Sequence, residues 1–284
     1  MRSGDDLKNR INFSTFCFTS LLLVPRTWKT IPLDPSIEKM RQIDSGITKA
    51  VWAINIRDAV YMLKASGTWE YVPGNQKHVT AGETGVWAVG NQNQVQLRIG
   101  ISDEMPQGKN WFTIVGKMTQ IDSGPMGVLC GITTTEEINC RTGIRLADNP
   151  KGSGWSLVAM SKKPKYISCG SLGCWVVDRA GRVFFRLGQT SSTPTGTSWG
   201  RVGGRFVLLE AGPQGKVWGI GRSGEVFTRN GVSETNPTGT AWEKVKESGY
   251  QHVTVGETGV YAITLDGNVE YCKCWSKTTL ISLI

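Results

Sequence analysis

The stretch His78-Val79-Thr80-Ala81-Gly82-Glu83-Thr84-Gly85-Val86-Trp87-Ala88-Val89 returns almost letter for letter as His252-Val253-Thr254-Val255-Gly256-Glu257-Thr258-Gly259-Val260-Tyr261-Ala262-Ile263. Two short β-type runs flanking a Gly-x-x-Gly turn read as a hairpin. With that unit as a ruler the chain divides into six copies. Their leading tryptophans are Trp28, Trp69, Trp111, Trp155, Trp199 and Trp242, and their turn glycines are Gly46, Gly82, Gly124, Gly170, Gly212 and Gly256. A period near 42 residues accommodates four short strands and four turns. Gly, Val, Thr and Trp dominate every copy and 3.6-residue periodicity is absent, which sets a helical array aside.

The spacing therefore predicts an all-β chain: a six-bladed β-propeller with four antiparallel strands per blade, closed so that no sheet edge is left open. Each copy is expected to open with its Trp strand and turn at a Pro-Gly such as Val72-Pro73-Gly74. A second strand such as Lys77 to Ala81 follows, then a third that is apolar on both faces, such as Val86-Trp87-Ala88-Val89. A strand of that kind fits between neighbouring blades. The propeller is assigned to residues 26–274, with 1–25 an N-terminal segment (an atypical secretion signal or a closing strand) and 275–284 a tail.

The copies alternate in type. Two residues before the turn glycine, odd copies carry Asp44, Asp122 and Glu210, and even copies carry Thr80, Ser168 and Thr254. From glycine to the third-strand aromatic position is six residues in odd copies and five in even ones, with Cys130 and Tyr261 in place of Trp. This reads as duplication of a two-blade unit, so ligand sites on the turns are expected to be multiple.

Seven cysteines point to an oxidising compartment and hence to secretion. Cys169 and Cys174 straddle one hairpin, and Cys130 and Cys140 face each other on adjacent strands, so both pairs are expected as disulfides. Cys272 or Cys274 is placed to pair with Cys17 and lock the ring. A net charge of +9 favours acidic partners, but the Lys and Arg residues are scattered, against a nucleic-acid groove. No apolar stretch is long enough for membrane insertion.

Catalysis finds little support. A nucleophile–base pair needs one of only two histidines, His78 and His252, which hold the same position in copies two and six. They read as hydrogen-bonding residues at a strand start, and form a dyad only if they point into the axis. Paired acids for glycoside hydrolysis would not recur in every other copy, so Asp44, Asp122 and Glu210 read as acceptors for backbone N–H groups in the turns. No cysteine–histidine set has zinc spacing.

The pattern Trp…Pro-Gly…Lys-x-Ile/Val-x-x-Gly…Gly-Val-Trp-Ala/Gly-Val/Ile resembles the tectonin repeat. It is carried by Gln42-Ile43-Asp44-Ser45-Gly46, Lys77-His78-Val79-Thr80 and Tyr166-Ile167-Ser168-Cys169-Gly170. Ser192 to Trp199 and Asn236 to Trp242 carry it too, and the likeness spans Trp28 to Cys272. The resemblance implies a non-enzymatic, secreted lectin that takes N-acetylglucosamine, galactose-type sugars and bacterial lipopolysaccharide in innate defence. It also implies a fold that calcium accompanies in some relatives, while the residues themselves call for no cofactor; a homodimer is compatible with it. The alternative is an intracellular tectonin-type scaffold binding protein or phosphoinositide. A pyranose needs an aromatic face and polar groups for its hydroxyls. Trp52, Trp87, Trp175 and Trp218 have the face, though one Trp per blade also suits an interblade core. The sugar-binding candidates are Glu83, Thr84, Glu257 and Thr258 on the turns with Trp87, then Asn55, Arg57 and Asp58 at the opposite hairpin ends.

Overall fold

The computed structural model describes residues 26–46 and 50–274. Its strands are β1 (Trp28–Ile31), β2 (Met40–Asp44), β3 (Val51–Asn55), β4 (Ala59–Leu63), β5 (Trp69–Gly82), β6 (Gly85–Gly90) and β7 (Gln94–Ile99). Then come β8 (Asn110–Ser123), β9 (Leu129–Thr133), β10 (Ile138–Thr142), β11 (Gly154–Val158), β12 (Pro164–Gly170), β13 (Gly173–Asp178) and β14 (Arg182–Leu187). The last are β15 (Ser198–Ala211), β16 (Val217–Gly221), β17 (Val226–Asn230), β18 (Ala241–Lys246), β19 (Tyr250–Val255), β20 (Val260–Thr264) and β21 (Val269–Cys272). Two 3-10 turns, Pro125–Gly127 and Pro213–Gly215, are the helical elements described. Among the described residues no helix is long and apolar enough to cross a membrane.

All pairings are antiparallel and fall into four-stranded groups. Strands β2, β3, β4 and the first half of β5 make one; the second half of β5 starts the next with β6, β7 and the first half of β8. The series runs on to β19, β20 and β21, whose open edge takes β1, with Trp28 opposite Cys272. The inner strands touch in cyclic order: β2, β5, β8, β12, β15, β19 and back to β2. This is the architecture of a β-propeller.

The sheets are offset by one strand from the repeat. The leading Trp strand does not open its own sheet but closes the one before, and β5, β8 and β15 each run 14 residues through both roles. The turn expected at Val72-Pro73-Gly74 is a bulge in continuous β5, where the register shifts between Ala59 and Val60. Gly74 there has φ +136, and a Cβ would fall 2.5 Å from Nε1 of Trp111 in the next sheet. That indole instead donates to Pro73 O at 2.9 Å. Trp155, Trp199 and Trp242 repeat the reach, to Val115 O, Ala159 O and Gly203 O. Over the four rings lie Arg98, Arg141, Arg186 and Arg229, about 5 Å from the centroids. The guanidinium groups also donate to carbonyls of the connection that precedes each Trp, such as Thr238 O from Arg229. Arg229→Lys, which keeps the charge and loses the fork, is expected to cost about 1 kcal/mol; a urea midpoint equal to the wild type's would refute that role.

The core lies between sheets. Trp52 is fully buried against Val79, Ala81 and Val86 of the following sheet, Trp87 against Ile121 and Leu129, and Trp218 against Val253 and Val260. Where Cys130 replaces the indole, two disulfides fill the space. Cys130–Cys140 and Cys169–Cys174 are both closed, and Cys174 Sγ lies 3.8 Å from Cys130 Sγ. Cys272 is bonded to Cys274 and not to Cys17, which lies outside the described residues, as do 1–25 and the tail from 275. A lock between the two ends of the chain is therefore supplied by the β1–β21 pairing.

Each turn glycine stands against the neighbouring sheet. A Cβ on Gly46 would fall 1.4 Å from Ala81 O, on Gly82 2.0 Å from Ser123 O, on Gly124 2.2 Å from Cys169 O and on Gly212 2.3 Å from Val255 O. The residue the repeat keeps constant is the one whose missing side chain lets the sheets approach.

Candidate functional site

The connections before the outer strands set where the rim is closed and where it is open. Four of them, 100–109, 143–153, 188–197 and 231–240, are long and held by the arginines described above. Ile144 of the second covers the Trp87 cluster, and Val232 of the fourth covers the Trp175 cluster. The corresponding connection between β4 and β5 is only 64–68. Nothing on it covers the cluster between β19–β21 and β2–β4, and a groove of about 720 Å³ opens there.

Tyr261 and Tyr271 form one wall, with ring centroids 4.8 Å apart, and the Tyr271 hydroxyl donates to Thr258 O at 2.8 Å. Met62 and Leu63 supply apolar floor, and Glu70 and Glu104 line the sides. Glu70 meets Lys64 at 3.5 Å. Tyr261 is buried and Tyr271 partly exposed; the Tyr271 ring beside carboxylates and a main-chain carbonyl suits a ligand ring with one apolar face and polar edges.

The sequence candidates divide. Thr258 lines the groove, and Glu257 is exposed beside it. Glu83 is exposed on the β5–β6 turn but lies outside the groove lining. Thr84 is buried, bonded to Ser123 Oγ and to Nε1 of Trp87. Trp87 itself is fully buried, so it offers no face to a sugar; the interblade role prevails because its sheet is covered on both sides. Asn55 is also buried, its Oδ1 accepting from Arg57 N and Ala59 N to shape its turn. Arg57 pairs with Glu38 and Asp58 with Arg41 on that opposite rim. Tyr261, Tyr271 and Glu70 were not singled out from sequence. The signal for them was length: the connection from Leu63 to Trp69 is the short one.

A second constellation lies on the axis. Asp44, Asp122 and Glu210, from inner strands β2, β8 and β15, converge with carboxylate oxygens within 4.8 Å of one another, all buried. Asp44 and Asp122 accept backbone N–H groups, as expected, but mainly from the next sheet: Asp44 from Ala81 N at 2.7 Å as well as Ser45 N, Asp122 from Cys169 N at 2.5 Å; Glu210 instead accepts from the Tyr166 and Ser168 hydroxyls. The even-copy hydroxyls relay between them. Thr254 takes Ser45 N and donates to Asp44, Thr80 takes Ser123 N and donates to Asp122, and Ser168 takes Ala211 N and donates to Glu210. The two-copy alternation is thus a pseudo-threefold network. Burial, then the charge of Asp44, pushes the Asp122 carboxyl up to about 7. Burial, then Asp122, holds Glu210 well above its ordinary range.

One layer below, His78 and His252 do point into the axis, flanking Tyr166 with ring centroids 6.1 and 6.2 Å away. His252 Nε2 lies 3.2 Å from the Tyr166 hydroxyl, which donates to Glu210. Burial is the main reason both imidazoles fall to about 3 and stay neutral. Gln42 and Gln120 in the same layer bond Val79 and Ile167 through both amide atoms, stitching inner strands together as a backbone would.

A sequence model described as the Tectonin domain matches residues 39–271. The fish-egg lectin of Cyprinus carpio is 25% identical over 147 residues, 48% of this chain and 61% of that protein. Tectonin beta-propeller repeat-containing protein 1 of Mus musculus is 31% identical over 135 residues, 46% of this chain and 12% of that one. The chain thus spans less than two thirds of each of these relatives. Among solved structures, Prp20p from Saccharomyces cerevisiae matches with a TM-score of 0.53 over 82% of this chain and 72% of its own, at 9% identity, a likeness of fold.

Proposed function

This chain belongs to the tectonin family, and from that premise we propose that it is a six-bladed propeller lectin whose sugar site is the Tyr261–Tyr271 groove. The observation that carries the reading is the Tyr271 ring, left partly exposed among the described residues and backed by buried Tyr261, with Glu70, Glu104 and the Thr258 main chain at the edges of the groove. A pyranose such as N-acetylglucosamine or a galactose-type sugar lays its apolar face on the Tyr271 ring and gives its hydroxyls to those oxygens. The similarity to a fish-egg lectin supports the class of ligand.

The cyclic contact of the inner strands supports the six-bladed ring. The closed disulfides support secretion, because such bonds persist in oxidising compartments. Lipopolysaccharide is the proposed microbial target in innate defence, its phosphates drawn by the net charge of +9. The groove arises where one connection is short, so valency comes from pairing of chains in a homodimer and not from every turn. Binding, and not catalysis, is the proposed activity: both histidines are sealed in the axis.

Tyr271→Ala is expected to weaken binding to immobilised N-acetylglucosamine about tenfold or more, with Glu83→Ala close to wild type. Loss in Glu83→Ala with Tyr271→Ala unaffected would move the site to the β5–β6 turn. Failure of the wild type to bind this sugar or lipopolysaccharide would turn the reading to a protein-binding scaffold.

A further inference from the structure

The rim that carries the β13–β14 and β16–β17 hairpins gathers cations that meet no carboxylate. Arg205 of β15 and Arg222 at the tip of the β16–β17 hairpin are both exposed. Arg205 Nη1 and Arg222 Nη2 donate to the same acceptor, Ala180 O, each at 2.8 Å. Nitrogens that share one carbonyl stand within about two hydrogen-bond lengths of each other, so two positive forks lie side by side. Among the described residues neither forms an ion pair. The carbonyl takes one N–H of each guanidinium and leaves the rest of the fork to the solvent side. It fixes the two groups without neutralising them, and like charges this close repel.

The next connection adds to this charge. Lys163 O accepts from Arg179 N at 3.0 Å, which seats the segment between β11 and β12 against the β13–β14 hairpin. Lys162 and Lys163 on that segment are exposed and form no ion pair among the described residues. The acids on this part of the rim are already engaged. Glu136 meets Arg179 and Asp178 meets Arg182, while Glu137 takes the Thr135 hydroxyl and Glu225 takes Ser223 N. Independent of the charges is an apolar lip. Leu157 of β11 is 58% exposed, and with Met160 it lines a groove of about 290 Å³ that Lys162 and Lys163 also line. Apolar side chains left in water beside lysines suit a charged lipid surface. No aromatic ring lines that groove, which sets aside a nucleic acid strand that stacks its bases.

We propose that this rim is a docking surface for a layer of phosphorylated glycolipid, with phosphate groups bridging Arg205 and Arg222 and the apolar boundary of the layer facing Leu157 and Met160. Phosphate suits the pair because its oxygens accept from two forks at once, in the bidentate geometry that arginine favours. The inference rests on the lipopolysaccharide part of the proposed function and goes beyond it: net charge draws phosphates from a distance, and these residues hold them. None of them lines the tyrosine groove, which lies by Thr258 on the opposite rim. Docking therefore does not require the groove to be filled.

The test sediments the whole chain with phosphatidylcholine vesicles carrying lipid A, in excess N-acetylglucosamine so that the groove is competed. Vesicles whose lipid A has been stripped of phosphate keep the same sugars and are expected to bind about tenfold more weakly. Arg205→Gln/Arg222→Gln is expected to lose about tenfold on the phosphorylated vesicles. Arg145→Gln/Lys244→Gln removes the same charge from exposed ion pairs elsewhere and should stay within about twofold of wild type. Equal loss in the two variants overturns the site in favour of diffuse charge. A wild type indifferent to the phosphates overturns it, as does a folded Arg205→Gln/Arg222→Gln that docks normally. If that variant fails to fold, Lys162→Gln/Lys163→Gln carries the same comparison. Retention on heparin without vesicle binding makes the partner a sulfated polysaccharide and overturns the lipid surface. Tyr271→Ala is expected to dock like wild type; sugar binding that fails while phosphorylated vesicles bind refutes only the tyrosine groove.

Discussion

Gly82→Ala is expected to destabilise the protein by about 3 kcal/mol or more, lowering the melting temperature by about 6–12 °C. The added Cβ would meet Ser123 O at 2.0 Å and the Ser123 carbonyl carbon at 2.6 Å, and both belong to the backbone of the next sheet. No rotamer change relieves such a contact, so two sheets must separate. Gly203→Ala is the control. Nothing lies within 4 Å of its Cβ, and it is expected within about 0.5 kcal/mol of wild type. If Gly82→Ala melts with Gly203→Ala, the close approach of sheets at the turns does not hold the ring together.

The second large effect concerns acid. In the unfolded chain His78 and His252 take up protons as pH falls below about 6.5, whereas in the fold they stay neutral down to about 3. Their depressed values contribute stability that is whole above pH 6.5 and is lost as pH falls toward 3. Each histidine removes about 1.4 kcal/mol per pH unit in that window. Asp122 works in the opposite sense. Its folded value of about 7 lies above the ordinary 3.8, so its contribution is whole below pH 3.8 and is lost as pH rises through 7. The raised Asp44 and Glu210 carboxyls add to that side. In the wild type the two sides oppose each other between pH 4.5 and 6.5. The variant His78→Gln/His252→Gln keeps only the acidic side and should gain stability steadily, relative to wild type, as pH falls. Denaturant midpoints for both proteins at pH 7 and pH 5 measure this; parallel profiles would mean the imidazoles are not kept neutral by burial.

How much of this was legible follows from the geometry of a ring. The period, the turn glycines and the apolar third strands are local, and they located every sheet. The phase of the repeat was not legible, because a ring reads the same from any starting strand; β1, seated beside β21, decides that Trp28 closes the last sheet. Alternation of Asp44, Asp122 and Glu210 with Thr80, Ser168 and Thr254 was visible as a pattern. Their meeting at the axis was not, since residues far apart in sequence touch only once the circle is complete. Trp87 and Asn55 had the chemistry of a sugar site but not the exposure, and exposure is set by the sheet packed on top. Arg98, Arg141, Arg186 and Arg229 recur 13 or 14 residues before their tryptophans. That recurrence was readable and passed unnoticed among scattered charges.

Strand β1 leaves the ribosome before every other strand described here, and its partner β21 leaves last. At about 5–20 residues per second, the nascent chain carries an unpaired edge for about 12–50 s. Throughout that interval the Trp28 face has no neighbour to cover it, and the growing arc of sheets exposes the flanks that later meet. Translation itself thus opens a period of vulnerability to aggregation, one that a chaperone shortens by shielding the N-terminal strand until the final hairpin arrives.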